Sequence, residues 1–255
     1  MAEIFLDYKP HVLYGHRSHL DLLALELIKR KIKPGNIKLI VVGAEMIYES
    51  SRNLYKQAFG PNVIEVYGSV EMGIMAFETP ERDGLHLCDD LTLFEFLDKN
   101  GNPVLPGEPG RVIVTDLIGK TMPFIRYDHG DFAIVKIITG KGGKPEKRIA
   151  KIIGRDADQI TLPDGSIRPF YDFHAIMDKF DEIMQFRVIQ KTKSYFQIKV
   201  VTDHNYYKEI YNQIMESLYL SFPKSCRFDI LRVDFPEPDL TGKLRIFVSE
   251  LKDYK

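Results

Sequence analysis

The 255-residue chain carries 35 basic and 36 acidic side chains, a formal net charge of −1, and 44% of its residues are hydrophobic. Charge that nearly cancels gives no long-range field for a polyanion, and no basic arm or stripe occurs, so nucleic acid is not an expected partner. The two cysteines, Cys88 and Cys226, are far apart and outside metal-ligand spacing, Glu3 and Asp7 stand where a signal peptide needs positive charge, and no apolar run reaches the ~18 residues that span a bilayer, so a disulfide framework, a zinc site and a membrane anchor are excluded and a cytoplasmic protein is expected.

In chain order, short apolar runs at 12–15, 38–43 and 63–67 alternate with amphipathic stretches at 18–31 and 47–59, a β-α-β-α-β rhythm that implies parallel strands. Ser18 is the expected N-cap of the first helix, with Asp21 at its third helical position. Leu20, Leu23, Leu27 and Ile28 supply its apolar face, and Pro34-Gly35 its stop. Gly60 ends the second helix. The turns that begin at Gly15, Gly43 and Gly68 all fall at the carboxyl ends of the strands, where such sheets bind ligands. From Leu85 the pattern becomes short strands with tight turns, at 92–97, 111–116 and 132–138, which reads as an antiparallel sheet or small barrel. After Gly154-Arg155 it changes again. An Asp164-Gly165 hairpin, helices at 173–180 and 205–220 and strands at 186–190, 196–201 and 228–233 make a second, smaller α+β domain, so the expected fold class is α/β followed by α+β, with domains 1–154 and 155–255.

Four segments carry groups with chemistry. Val66-Tyr67-Gly68-Ser69-Val70-Glu71-Met72-Gly73 offers an aromatic ring for a base, a glycine that admits close backbone approach, a hydroxyl for a phosphate and a carboxylate for magnesium; it reads equally as a tight turn with a packing Tyr and a solvated Glu. In Arg126-Tyr127-Asp128-His129-Gly130-Asp131, the two oxygens of Asp131 suit the two hydroxyls of a ribose, Arg126 and Asp128 read as structural ion-pair partners, and His129 reads as a solvated turn residue. Gly154-Arg155-Asp156-Ala157-Asp158 is either a hinge with a phosphate-reaching Arg155 or a polar turn in which Arg155 pairs with a neighbouring aspartate. Thr241-Gly242-Lys243 is either a loop that brings a cation to a transferring phosphoryl group or a hairpin with a solvated lysine.

Together and in this order, with Gly43-Ala44-Glu45, Asn102-Pro103-Val104-Leu105-Pro106-Gly107-Glu108 and Leu162-Pro163-Asp164-Gly165 between them, these segments resemble the adenylate-forming superfamily, specifically the phenylacetate–coenzyme A ligase family and its CapK-type capsule-biosynthesis relatives. The resemblance covers nearly the whole chain and implies a partial AMP-binding large domain, made of a parallel β/α unit and an antiparallel barrel-like part, followed by a small mobile C-terminal domain. It implies that Gly43, Ala44 and Glu45 line an adenine pocket and that Tyr67 stacks on adenine beside Gly68. It further places Ser69 at the α-phosphate, Glu71 on magnesium, Asp131 on the ribose, Arg155 on the nucleotide and Lys243 in the adenylating step.

The implied reaction is ATP-dependent activation of a small carboxylic acid, followed by transfer of the acyl group to coenzyme A. Family members also carry, upstream of all these motifs, a Ser/Thr/Gly-rich phosphate-binding loop that this sequence lacks. The expectation is therefore a C-terminal portion that is inactive alone, or that works with a separate N-terminal half or as a homo-oligomer; the alternative is a non-catalytic adenosine-nucleotide-binding or interaction module. Ala157 departs from the polar hinge residue common in relatives, and residues 140–144 lack the cysteine cluster of some capsule-type members.

Overall fold

The structure, a computed structural model, describes residues 2–60, 63–140, 142–155, 159–177, 179–180, 182–202, 204–234 and 245–251. The chain divides into two units, residues 1–155 and 156–255. The first begins with α1 (Ala2–Tyr8), β1 (Val12–Gly15), α2 (Arg17–Lys29), β2 (Leu39–Val42), α3 (Glu49–Ala58) and β3 (Val63–Ser69). Leu20, Leu23, Ala24 and Leu27 recur at helical spacing and form the buried face of α2; Leu54, Tyr55 and Ala58 do the same for α3. These residues share one core with Phe5 of α1 and with Ile40 and Val42 of β2. As the alternation implies, β1, β2 and β3 pair in parallel, Val12 opposite Leu39 and Ile40 opposite Val63.

The ends of α2 differ from the sequence expectation. Ser18 lies inside the helix, whose N-cap is His16 without a side-chain cap bond, and the free amide of Ser18 donates instead to the carboxylate of Glu45. The helix stops at Lys29, before Pro34-Gly35. Lys31 turns left-handed at φ 58°, and Ile32 and Lys31 donate back to the carbonyls of Leu27 and Ile28, a Schellman ending that closes the helix without glycine. Gly60 leaves α3 at φ 121°, as its position implies.

The unit continues with β4 (Gly73–Glu78), β5 (Leu85–Leu87), β6 (Thr92–Leu97), β7 (Pro109–Asp116), β8 (Tyr127–Thr139) and β9 (Pro145–Arg155). Parallel and antiparallel parts are not separate sheets. One nine-stranded sheet runs β1-β2-β3-β4-β5-β9-β8-β7-β6, and β3 joins its two halves, parallel to β2 and antiparallel to β4. β4, β5 and β9 lie between β3 and β8 in that order, yet the Tyr67 hydroxyl of β3 donates to Asp131 of β8 at 2.8 Å, so the antiparallel half curls back on itself. Its interior is filled by Met75, Phe94, Phe96, Val112, Val114, Val135 and Ile149. This curl brings the candidate residues together.

The second unit comprises β10 (Gln159–Thr161), β11 (Ile167–Pro169), α4 (Tyr171–Met177), β12 (Gln185–Thr192), β13 (Tyr195–Val201), α5 (His204–Ser221), β14 (Arg227–Arg232) and β15 (Phe247–Ser249). β10 and β11 form the hairpin expected at Asp164-Gly165, and the other strands form a sheet of order β14-β13-β12-β15. Phe173 of α4 packs on Phe222 with ring centroids 4.6 Å apart, and Phe196 stacks on Phe228 at 5.6 Å, giving the unit an aromatic core. Buried Gln190 of β12 uses its amide as a backbone mimic, donating to the Thr161 carbonyl at 2.6 Å, which fastens the hairpin to the sheet. No described helix is long and apolar enough to cross a membrane.

Candidate functional site

The site is built from three places where the first unit's strands end or turn. At the end of β2, Gly43, Ala44 and Glu45 form a tight corner. A side chain at Gly43 would press on Val66 at 3.1 Å and on the Tyr14 hydroxyl at 3.2 Å, so β1 and β3 close in on it from both sides. Ala44 is left-handed at φ 64°, a conformation that costs a residue with a Cβ about 1–2 kcal/mol. Glu45 holds the corner in place. Its two carboxylate oxygens accept from the Ser18 amide and the Ser18 hydroxyl, each at 2.8 Å, at the positive end of α2. Arg17 stands 3.8 Å from the same carboxylate, and its own partner is buried Asp21 at 2.6 Å. The side chain of Glu45 is thus a strut; what the corner presents to a ligand is backbone.

The β3–β4 hairpin carries the second group. Its glycine has a structural reason: a Cβ on Gly68 would sit 2.1 Å from the Gly73 carbonyl oxygen, so it is the partner strand, and not an approaching ligand, that requires glycine there. At the tip, Val70 and Glu71 face solvent. The Ser69 oxygen accepts from the Met72 amide at 3.3 Å. Glu71 is held below the usual carboxylate range, first by a hydrogen bond from its own amide and then by the Ser69 hydroxyl, with His129 and Tyr127 adding to the effect. An ionised, exposed carboxylate beside a hydroxyl is what a magnesium ion shared with a phosphate needs.

The third group lies where β8 and β9 pair, with Asp131 directly opposite Arg155. Asp131 is 5% exposed, and one of its oxygens, Oδ2, accepts from the Tyr67 hydroxyl at 2.8 Å and lies 2.6 Å from His129 Nδ1. The other, Oδ1, accepts from Arg155 Nε at 3.2 Å. A carboxylate can only accept, so Nδ1 of His129 carries the proton that lies between them, and Nε2 is buried without a hydrogen-bond partner among the described residues. Burial, and after it the Asp131 charge, pushes the Tyr67 phenol far above its ordinary range, so it stays a donor at all physiological pH.

Two readings of this region are corrected. His129 is a buried member of the network and not a solvated turn residue, because β8 already begins at Tyr127 and alternation turns His129 and Asp131 inward. Arg126 and Asp128 do not pair with each other. Arg126 reaches Glu95 at 2.9 Å and Asp128 reaches Arg111 at 3.2 Å, since the same alternation turns Asp128 away from its neighbours. Arg155, the last residue of β9, is tied across the ladder to Asp131; its hinge reading and its pairing with Asp156 or Asp158 fall on residues outside the described ones. Asp156, Ala157, Asp158 and Lys243 lie outside the described residues.

Tyr67, His129, Asp131 and Arg155, from three strands, therefore form one hydrogen-bonded group. Gly43 contacts its strand through Val66, and Ser69 and Glu71 sit two and four residues beyond Tyr67. The sequence reading missed His129 and the Ser18–Glu45 strut. Among the described residues no group of three His, Cys, Asp or Glu side chains is set to hold a metal by itself.

No protein-family model matches the chain. In three dimensions it is similar to 2-hydroxyisobutyryl-CoA ligase in the postadenylation state in complex with R3-HIB-AMP, with a TM-score of 0.79 and 18% identity over 98% of this chain and 56% of that one. It is also similar to anthranilate CoA ligase in complex with anthranoyl-AMP, with a TM-score of 0.67 and 16% identity over 95% of this chain and 50% of that one. The fold is that of the adenylate-forming acyl–coenzyme A ligases. In sequence the chain is 26% identical to the phenylacetate–coenzyme A ligase of Thermus thermophilus over 82% of its length and 49% of the relative's. It is 27% identical to that of Pseudomonas putida over 66% of its length and 39% of the relative's. In fold the chain is similar to these acyl–coenzyme A ligases, and in sequence it is similar to phenylacetate–coenzyme A ligases. It spans about half the length or less of the curated relatives it matches.

Proposed function

We propose that the chain is the nucleotide-gripping portion of an ATP-dependent ligase that activates a small carboxylic acid as its adenylate and passes the acyl group to coenzyme A. The observation that carries this reading is the convergence of Tyr67, Asp131 and Arg155 from three separate strands, beside the Ser69–Glu71 hairpin tip. On this reading residues 1–154 are the C-terminal part of the AMP-binding domain and residues 155–255 are the small domain that follows it.

The residues present fit an adenosine nucleotide. Tyr67 offers its ring for stacking on the base next to the Gly43–Glu45 corner, buried Asp131 offers a carboxylate to the ribose, and the Arg155 side chain is 67% exposed and can turn from Asp131 to a phosphate. Ser69 and Glu71 offer a hydroxyl and a carboxylate to the phosphates and to magnesium, which usually completes its shell with water and substrate oxygens. The substrate carboxylate attacks the α-phosphorus and pyrophosphate leaves; the thiol of coenzyme A then takes the acyl group and AMP departs. Lys243 supplies the cation that steadies charge on the phosphoryl group in the first step. The remainder of the ligase, on the same polypeptide or a second chain, adds beside β1, the outermost strand on its side of the described sheet, where Val12 and Tyr14 are exposed.

Calorimetry with AMP tests the reading. AMP is expected to bind this chain and to bind Asp131→Ala at least ~10-fold more weakly, the loss that goes with a hydrogen bond to a charged group. Addition of the N-terminal half is expected to produce carboxylate-dependent pyrophosphate exchange. AMP binding without exchange in the reconstituted protein would leave a nucleotide-binding module, and no AMP binding would overturn the reading.

A further inference from the structure

The Gly43–Glu45 corner runs on through 46–48 before α3 begins, and one buried side chain touches this stretch at two places. Arg17, the first residue of α2, is 3% exposed. Its Nη2 stands 3.8 Å from the Glu45 carboxylate, and its guanidinium lies over the ring of Tyr48, 4.7 Å from the centroid. Nη1 donates to Asp21 at 2.6 Å, one turn along α2, and the same Asp21 oxygen accepts from the Ser51 hydroxyl of α3 at 3.2 Å. The backbone carbonyl of Arg17 accepts from the Tyr55 hydroxyl, also of α3, at 3.0 Å. A buried ion pair is a poor source of stability, because desolvating both charges offsets most of their attraction and apolar side chains of similar volume often do as well. Here Nε of Arg17 is also buried without a hydrogen-bond partner among the described residues. What a guanidinium adds over an apolar side chain is direction: the planar cation meets a carboxylate along its edge and an aromatic ring on its face, and so fixes both at once.

We propose that Arg17 is a positioning residue for base recognition, clamping the corner through Glu45 and Tyr48 so that the backbone groups of Gly43–Glu45 are held where they read the edge of the purine. The proposal rests on the nucleotide reading above and deepens it. Ala44 is left-handed at φ 64°, a conformation that persists only where the surroundings impose it, and two residues that follow it, Glu45 and Tyr48, meet on this one guanidinium. Ser18 ties Glu45 to α2 alone; Arg17 extends the hold to Tyr48 and, through Asp21 and Ser51, to α3. A backbone donor or acceptor discriminates between bases only while it is held, since one that can turn accommodates either partner. Buried as it is, Arg17 acts through the corner and not by contact with the nucleotide.

Calorimetry of this chain with AMP and with IMP, which carries a carbonyl where AMP has its exocyclic amino group, reads the clamp as a ratio of affinities. AMP is expected to bind ~10-fold or more tightly than IMP, the loss that goes with meeting a fixed backbone group with the wrong partner. Arg17→Met combined with Asp21→Asn removes the guanidinium without stranding the carboxylate, and the new amide oxygen still accepts from Ser51. This double variant is expected to keep a urea denaturation midpoint close to that of the unaltered chain and to lower the AMP-to-IMP ratio below about 3-fold. The ratio decides: unchanged in the double variant, it makes Arg17 a packing residue and overturns the proposal. If the double variant does not fold, Tyr48→Leu, which takes away the ring and leaves the ion pair, decides in its place; its ratio is expected to fall, and an unchanged one would overturn the proposal. Equal binding of AMP and IMP to the unaltered chain would overturn it too while leaving the nucleotide site standing. Failure of both nucleotides to bind is the separate result that removes the site itself.

Discussion

Glu45→Ala separates a strut from a ligand-binding group. In the structure the carboxylate makes two hydrogen bonds to one residue, the Ser18 amide and hydroxyl, both at 2.8 Å, and its side chain is 19% exposed. Each charge-assisted bond contributes ~1.5–3 kcal/mol, and the helix N-terminus favours a negative charge by a further ~0.5 kcal/mol. The two bonds share one acceptor group and do not add fully, so the expected destabilisation is ~2–4 kcal/mol. Loss of the strut also leaves Ala44 in a left-handed conformation with less to hold it, and the Gly43–Glu45 corner relaxes. Urea denaturation followed by far-ultraviolet circular dichroism reads the first effect, and AMP calorimetry the second. Glu45→Gln, which keeps one carbonyl acceptor, is expected to lose about half as much stability. A denaturation midpoint unchanged in Glu45→Ala would refute the strut, and if AMP affinity fell all the same the carboxylate would have to meet the nucleotide directly.

Three other outcomes follow from particular residues. Burial pushes the Glu65 carboxyl from its ordinary 4.5 up to about 7, with Arg52 opposing the rise and Glu78 adding to it. The folded chain then holds this proton more tightly than the unfolded one, so the contribution is full below pH ~4.5 and is lost as pH rises through ~7. Glu65→Gln is expected to flatten that fall and to be more stable at pH 8 by on the order of 1–3 kcal/mol; an unchanged slope in pH-dependent urea titrations would count against it. Phe173→Ala removes a fully buried ring from the aromatic core of the second unit and is expected to cost ~3–5 kcal/mol by chemical denaturation, a loss below ~1 kcal/mol meaning that the core closes over the gap. Lys243→Ala is expected to slow adenylation by ~100-fold in the reconstituted ligase, on the order of 3 kcal/mol of transition-state stabilisation, and unchanged pyrophosphate exchange would remove Lys243 from the reaction.

What the sequence disclosed and what it hid divide along physical lines. The helices and parallel strands of the first unit were legible because Leu20, Leu23 and Leu27 repeat at helical spacing and because the runs at 38–43 and 63–67 are mostly apolar, each with one charged residue. Gly68 was legible as a residue that must be glycine but not for its cause, since its neighbour is the carbonyl of Gly73 on a strand whose pairing is a tertiary fact. The partnership of Ser18 with Glu45 spans 27 residues and crosses from a helix start to a strand end, so the local rule that puts serine at an N-cap chose the wrong acceptor. His129 carried a signal that went unused: Tyr127, His129 and Asp131 stand at i, i+2 and i+4, one face of a strand, while Asp128 and Gly130 mimic a turn. The two-residue period places the ring beside the carboxylate; the curl that brings Tyr67 to meet them comes only with the whole sheet.

Each candidate ligand-binding group already has a protein partner: Ser69 has Glu71, Glu45 has Ser18, and Asp131 has Tyr67, His129 and Arg155. A nucleotide entering such a site makes few bonds that were absent before, so its affinity is set by which exchanges are cheap. Giving up the Arg155–Asp131 contact costs little, because an ion pair with one largely exposed partner contributes under about 1 kcal/mol and water can replace it. Turning Ser69 from Glu71 likewise exposes nothing buried, since the hairpin tip faces solvent. Breaking Tyr67 or His129 away from Asp131 strands donors inside the protein and is expensive. The rearrangement on binding is therefore expected at Arg155, Ser69 and Glu71, with Tyr67, His129 and Asp131 acting as the fixed frame against which the nucleotide is measured.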